Sequence, residues 1–214
     1  QLSANYNGIP FKHIPLTIDH NFLPELDSIS KNAFEKTQLF WINSPHNPTT
    51  AIASKSYVTK LLALAETYNF IVCSDECYND LYYDEKPTSI LEFDSEHWVC
   101  FRSLSKRSHM SGYRSGAVIT KNKEIMKELK KMRSPMGIGT PSFIQDAAIT
   151  AWNDTAHVAQ HRHQYKKKRD QVINALESIN MKVFGGNAGF YVWFLSEQHA
   201  TSQSLADWLL EKGL

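Results

Sequence analysis

Lys106 sits in the stretch SLSKRSHMSGYRSG, with Ser103 three residues before it, Ser105 one before it and Arg114 eight after it. A lysine amine can form an imine with a carbonyl compound. Hydroxyls can donate to a phosphate, and an arginine can clamp one with paired hydrogen bonds. Two other readings compete. A lysine in a polar loop is most often a solvated surface charge. Ser103-Leu104-Ser105-Lys106 also matches the Ser-x-x-Lys nucleophile motif of penicillin-binding enzymes. That machinery requires a Lys-Thr-Gly strand as well, and the nearest approach here is Lys36-Thr37-Gln38. The motif should moreover open a buried helix, whereas residues 108–112 read as loop.

Imine chemistry on a carbonyl cofactor makes further demands, and the sequence has a candidate for each. Pyridoxal phosphate needs a carboxylate to keep its pyridine nitrogen protonated, donors to its phenolic oxygen, and hydroxyls with a cation around its phosphate. Asp75, at the end of an apolar run, can be the carboxylate. Tyr78 and Asn47 can be the phenolic donors, Ser103 and Ser105 the phosphate hydroxyls, and Arg114 the phosphate cation.

The elements that must position these residues follow from hydrophobic periodicity. Short apolar runs at residues 39–43, 70–73, 98–101 and 117–119 read as strands. Val58, Leu61, Leu62, Ala65 and Tyr68 recur at helical spacing within residues 54–69. Continuous apolar strands separated by helices predict strands buried on both faces, and so an α/β fold with a mostly parallel sheet covered by helices. The polar clusters fall at the carboxyl ends of the strands, where open α/β sheets place their ligands. Asn47, Asp75 and Lys106 all occupy such positions. Helices are expected over residues 122–133, 140–152 and 154–178, with a loop at 135–139. Strands at 182–184 and 190–194, separated by Gly185-Gly186, mark a smaller α+β unit. Residues 1–178 then form a large domain ending in a long connecting helix, and 179–214 begin a small one.

Bulk properties narrow the partners. Hydrophobic residues make up 42% of the 214, charged residues 21%, and the net charge is +1. That composition supports a sizeable core and carries no electrostatic footprint for nucleic acid or an anionic membrane. No apolar run approaches a membrane span. Three cysteines without a suitably spaced fourth ligand read as free thiols in a reducing cytoplasm rather than a metal site. His161 and His163 lie two apart, on different faces of a helix, which argues against joint ligation. The run HRHQYKKKRD reads as a solvated helix face, Asp84 and Glu85 as a turn, and Phe190, Tyr191, Trp193 and Phe194 as strand packing. Gly137 and Gly139 lack the rest of a dinucleotide fingerprint. The chain begins without methionine and ends just after the helical stretch ADWLLEKGL, as a piece of a longer protein would.

Taken in order, NSPHNPT, SDECYNDLYY and SLSKRSHMSGYRSG resemble the class I/II aminotransferase family of fold-type I pyridoxal phosphate enzymes. The likeness extends from YNGIPFKHIPL through GGNAGFYVWF. It implies that Asn47 is the asparagine of the Asn-Pro-Thr motif and Asp75 the partner of the pyridine nitrogen. It also implies Tyr78 as the tyrosine three residues on, Lys106 as the Schiff-base lysine and Arg114 as the phosphate arginine. An amino-acid substrate, a 2-oxo acid and a homodimer with shared active sites come with the family. Arg107 and the GYRSG segment look most like its succinyldiaminopimelate branch, acting on N-succinyl-diaminopimelate with 2-oxoglutarate in lysine biosynthesis. Aspartate, aromatic or alanine aminotransferases of the same family, or a non-catalytic fragment, are the alternatives. By itself Arg107 reads as a surface cation.

The sequence departs from the family at Thr50, where a glycine is usual. Threonine adopts positive φ only at a cost, so a different turn after Asn47 is expected. Three family parts are expected outside the chain. These are a small-residue phosphate loop before residue 1, an aromatic ring stacking on the cofactor near or before Ser3, and a carboxylate-binding arginine beyond Leu214.

Overall fold

The apolar runs form a four-stranded sheet in the computed structural model, which describes residues 2–133, 135–137, 139–199 and 201–213. Strands β1 (Leu39–Asn43), β2 (Ile71–Asp75) and β3 (Trp98–Ser103) lie parallel, and β4 (Gly116–Ile119) pairs antiparallel with β3. The sheet order is β1-β2-β3-β4. The helices are α1 (Leu2–Tyr6), α2 (Lys31–Glu35), α3 (Lys55–Tyr68), α4 (Leu104–Arg107), α5 (Lys123–Arg133), α6 (Ser142–Asn153), α7 (Ala156–Ser178) and α8 (Ser202–Glu211).

Helix α3 makes the crossover between β1 and β2, and its ends carry their own stop signals. The Ser54 hydroxyl accepts the Tyr57 N–H at the start, and Asn69 turns left-handed at the end with its N–H on the Ala65 carbonyl. Its buried stripe of Val58, Leu61, Leu62 and Ala65 packs on Phe40, Ile42, Val72, Trp98 and Cys100 from one sheet face. Each large apolar side chain buried there contributes roughly 1.5–3 kcal/mol.

The other face departs from the expectation of burial on both sides. Along β1, Leu39 and Trp41 alternate outward and stay 55% and 59% exposed, while Phe40 and Ile42 are buried. The reason is coverage: α3 packs on the face that carries Phe40 and Ile42, and among the described residues β1 has a neighbouring strand on one side alone. Trp41 finds partial cover by stacking on Phe101 at 5.0 Å between ring centroids.

Helices α6 and α7 match the predicted long helical stretches, broken between Asn153 and Ala156. In the loop expected at 135–139, residues 135–137 form a turn and Ile138 lies outside the described residues. Strand β5 (Lys182–Phe184) pairs antiparallel with β6 (Trp193–Leu195), so the expected strand at 190–194 starts three residues late. The residues just before it are held elsewhere. Tyr83 N–H donates to the Asn187 carbonyl at 3.1 Å, and Gly189 N–H to the Leu81 carbonyl at 2.7 Å. This backbone pairing holds the chain against the segment after β2 and delays the hairpin. Among the described residues no helix is long and apolar enough to cross a membrane.

Candidate functional site

Parallel pairing places the carboxyl ends of β1, β2 and β3 along one edge, with Asn43 beside Asp75 and Asp75 beside Phe101. Asn43, which sequence reasoning passed over, is the bracket at this edge. Its Oδ1 accepts the Asn47 N–H at 2.8 Å, and its Nδ2 donates to the Asp75 carbonyl at 2.9 Å. The Asn47 turn is thereby tied to the end of β2. Asn47 Nδ2 then donates to the Tyr78 hydroxyl at 3.4 Å. Asp75 accepts the Cys77 N–H through Oδ1 at 3.1 Å, which orients the carboxylate at the strand end.

Thr50 occupies the left-handed region after all, at φ 59°, and is buried. Its Oγ1 accepts the Gly186 N–H at 2.6 Å and its own N–H donates to the His46 carbonyl at 2.7 Å. The turn therefore keeps the geometry a glycine would take, with the strain offset by a buried hydrogen bond to the hairpin loop. Gly185 must be glycine in return, since it has φ +66° and a Cβ there would collide with Thr50 Oγ1 and the Thr49 carbonyl.

Lys106 belongs to a one-turn helix rather than the expected loop. The Ser103 hydroxyl caps α4 by accepting the Ser105 N–H at 3.1 Å, and Leu104 is fully buried beneath it. Lys106 is half-buried, with its Nζ 5.4 Å from the Phe190 ring centroid. Arg107, expected at the surface, is buried. Its guanidinium donates to the carbonyls of Ala151, Trp152 and Asp154 and lies beside Asp80.

Arg114 reaches the same edge by a different route. Gly116 pairs with Ser103 across β3 and β4, approaching so closely that a Cβ would lie 2.5 Å from the Arg102 carbonyl oxygen. Arg114, two residues earlier, is exposed and left-handed, and its Nη1 donates to the Ser111 carbonyl at 3.0 Å. Asn47, Asp75 and Tyr78 are thus linked on one side, and Ser103, Ser105 and Lys106 on the other. Arg114 lies two residues before Gly116, the partner of Ser103, and its side chain bonds to its own turn.

Two aromatics assigned to strand packing line the site instead. The Tyr191 hydroxyl is 3.2 Å from that of Tyr78, and Phe190 packs edge-on against Tyr78 at 5.5 Å. Burial first, then the Tyr191 hydrogen bond, push the Tyr78 phenol above its ordinary pKa. The basic run of α7 is also less solvated than expected. Its residues at 158, 161, 162, 165 and 169 recur on one helix face. Arg162 covers the Tyr82 ring, Arg169 covers Tyr83, and Tyr165 stacks on Phe190. His161 is half-buried on that face and His163 exposed on another. Among the described residues, no three His, Cys, Asp or Glu side chains are grouped to hold a metal ion. The side chain of Ser3 lies outside the described residues.

The donor set fits pyridoxal phosphate. A carboxylate (Asp75) and two neutral donors (Asn47 and Tyr78) sit at the strand ends, with Asn43 tying the Asp75 backbone to Asn47 and Asn47 bonded to Tyr78. Two hydroxyls and an exposed guanidinium lie on adjoining strand ends, next to a half-buried amine.

A family model described as aminotransferase class I and II matches residues 1–214. An LL-diaminopimelate aminotransferase of Dehalococcoides mccartyi is 34% identical over 215 residues, covering 99% of this chain and 55% of that protein. The chain therefore spans about half the length of the curated relatives it matches. Among solved structures, an aminotransferase from Neisseria meningitidis is 34% identical with a TM-score of 0.74, over 81% of this chain and 46% of that one. An aspartate aminotransferase from Thermotoga maritima is 25% identical with a TM-score of 0.87, over 97% of this chain and 55% of that one.

Proposed function

This chain belongs to the aminotransferase class I and II family, and on that premise we propose that its residues form part of a pyridoxal phosphate site that moves an amino group between an amino acid and a 2-oxo acid. Members of the family use pyridoxal 5'-phosphate. In this reading residues 1–178 belong to the large cofactor-binding domain and 179–214 open the small one. The whole protein acts as a cytoplasmic homodimer.

The observation that carries the reading is the gathering of Asn47, Asp75, Tyr78, Ser103, Ser105 and Lys106 at one sheet edge. When bound, the cofactor supplies an aldehyde and an electron-accepting ring. Asp75 would hold a proton on the ring nitrogen, and Asn47 with Tyr78 would donate to the phenolic oxygen. Ser103, Ser105 and Arg114 would hold the phosphate, which requires the Arg114 side chain to leave the Ser111 carbonyl. Lys106 Nζ would hold the aldehyde end of the group, and as a free amine it would serve as the base for the proton on the substrate α-carbon. Phe190 shields one side of that amine from water.

The names of the curated relatives support an amino donor of the diaminopimelate class, and the motif resemblance adds 2-oxoglutarate as acceptor. Their names specify the free LL-diaminopimelate, whereas the motif resemblance favours the N-succinyl derivative. Transamination assays with both, and with aspartate, alanine and aromatic amino acids, decide among these donors.

Borohydride trapping of added pyridoxal phosphate, followed by peptide mapping, tests the site itself. The label is expected on Lys106 and absent from Lys106→Ala. Label spread evenly over the lysines, or unchanged in Lys106→Ala, sinks the reading.

A further inference from the structure

Lys106 stands on a helix of a single turn, which cannot hold its own conformation. Leu104 anchors its first residue in the core, and Arg107 is the anchor at its last. The Arg107 side chain is 7% exposed. Nη1 donates to the Ala151 carbonyl at 2.6 Å and to the Ser108 hydroxyl at 3.3 Å. Nη2 donates to the carbonyls of Trp152 at 3.5 Å and Asp154 at 3.3 Å, and the guanidinium covers the Trp152 ring at 5.1 Å. These carbonyls end α6, where unpaired acceptors and the negative end of the helix dipole favour a cation.

The remaining donor, Nε, lies 3.5 Å from Asp80 Oδ2. That same oxygen is 3.5 Å from Arg102 Nη1, and Arg102 Nη2 is 2.8 Å from Glu76 Oε2. Glu76 is 2% exposed and accepts in addition from the Ser89 hydroxyl and the Ile90 N–H, both at 2.7 Å. Glu76, Arg102, Asp80 and Arg107 therefore form a chain of alternating charge that sums to zero. One end adjoins Asp75 in sequence and the other adjoins Lys106. Removing Arg107 would leave Asp80 paired with Arg102 alone, and removing Asp80 would leave Arg107 on its carbonyls without a counter-charge.

We propose that Arg107 is a positioning residue for Lys106, clamping α4 to the end of α6 and, through Asp80, Arg102 and Glu76, setting Lys106 in register with Asp75. The inference rests on the reading of Lys106 as the cofactor lysine. It assigns a task to the residue after that lysine, which touches neither cofactor nor substrate. A fork with five donors can bridge three carbonyls and a carboxylate at once, and a lysine cannot.

The test measures how selectively added pyridoxal phosphate labels Lys106 over the other lysines after borohydride reduction. It compares the unaltered protein with Arg107→Met, Arg107→Lys and Asp80→Asn, with circular dichroism to establish folding. Arg107→Met should lower the selectivity roughly tenfold, the scale expected when a reacting group is displaced by a fraction of an ångström. Arg107→Lys should recover part of it, and Asp80→Asn should show a smaller loss. Should Arg107→Met not fold, Asp80→Asn alone decides, because the carbonyl clamp remains. Unaltered selectivity in a folded Arg107→Met, full recovery in Arg107→Lys, or unaltered selectivity in Asp80→Asn overturns the inference while leaving Lys106 as the cofactor lysine. No preference for Lys106 in the unaltered protein overturns both.

Discussion

Thr50 shows how one residue can hold a conformation that its own chemistry disfavours. Its left-handed backbone costs on the order of 1–2 kcal/mol, and the bond from Gly186 N–H to Oγ1 offsets it. Thr50→Val keeps the shape and the strain but removes the acceptor, orphaning a buried N–H. We expect a loss of about 1–3 kcal/mol in urea unfolding, larger than for Thr50→Gly, which relieves the strain. A destabilisation no greater than that of Thr50→Gly would contradict this account. The cysteines make a second residue-scale case. Burial pushes the thiols of Cys73 up to about 11 and Cys100 to about 12, and burial followed by the Asp75 carboxylate pushes Cys77 to about 12. At pH 8 almost no thiolate exists in the folded chain, so alkylation followed by mass spectrometry should be negligible until urea is added.

At the scale of elements, the loop after α4 is held to α7 by a stack of imidazoles. His109 and His161 lie face to face at 3.8 Å, with His157 edge-on to His161 at 5.4 Å. The Tyr165 hydroxyl meets His109 Nε2 at 3.0 Å, and His157 reaches the Ser108 hydroxyl at 2.9 Å. Burial, then His161, His157 and Lys168, hold the His109 pKa below its ordinary 6.5. The unfolded chain therefore takes up the proton first. Stability from this site is complete above the unfolded value and is lost as pH falls from there through the folded one. Urea midpoints measured from pH 8 to 5 should decline, and His109→Gln should flatten that decline. A parallel decline in the variant would assign it to other groups. The stack was not legible as a set, because His109 lies 52 positions from His161 and only packing joins them. The strands and helices themselves were legible, since short apolar runs and a period of 3.6 are written in neighbouring residues.

At the scale of the whole molecule, the hairpin loop between β5 and β6 closes over the turn that carries Asn47. Gly185 is its contact point with Thr49 and Thr50. Gly185→Ala meets both a positive φ and a backbone collision, and should undock the loop at a cost of about 1–3 kcal/mol. Limited proteolysis should then cut between α7 and β6 faster than in the unaltered protein. An unchanged cleavage rate would mean that the loop is held by other contacts.

The motif residues and their order were legible in the sequence, because each lies at or near a strand end and needs only its neighbours to be read. Lys106, Asp75, Asn47 and Arg114 are singled out by side-chain type and spacing alone. Tertiary structure alone decided what surrounds them. Asn43 bonds to Asp75 across 32 positions, Arg107 to Ala151 across 44, and Tyr191 to Tyr78 across 113. Nothing in the local pattern of LFWIN, KRS or FYVWF announces such a partner. A hydrogen bond or buried charge is satisfied by whatever the fold brings near, and burial then makes that partner obligatory.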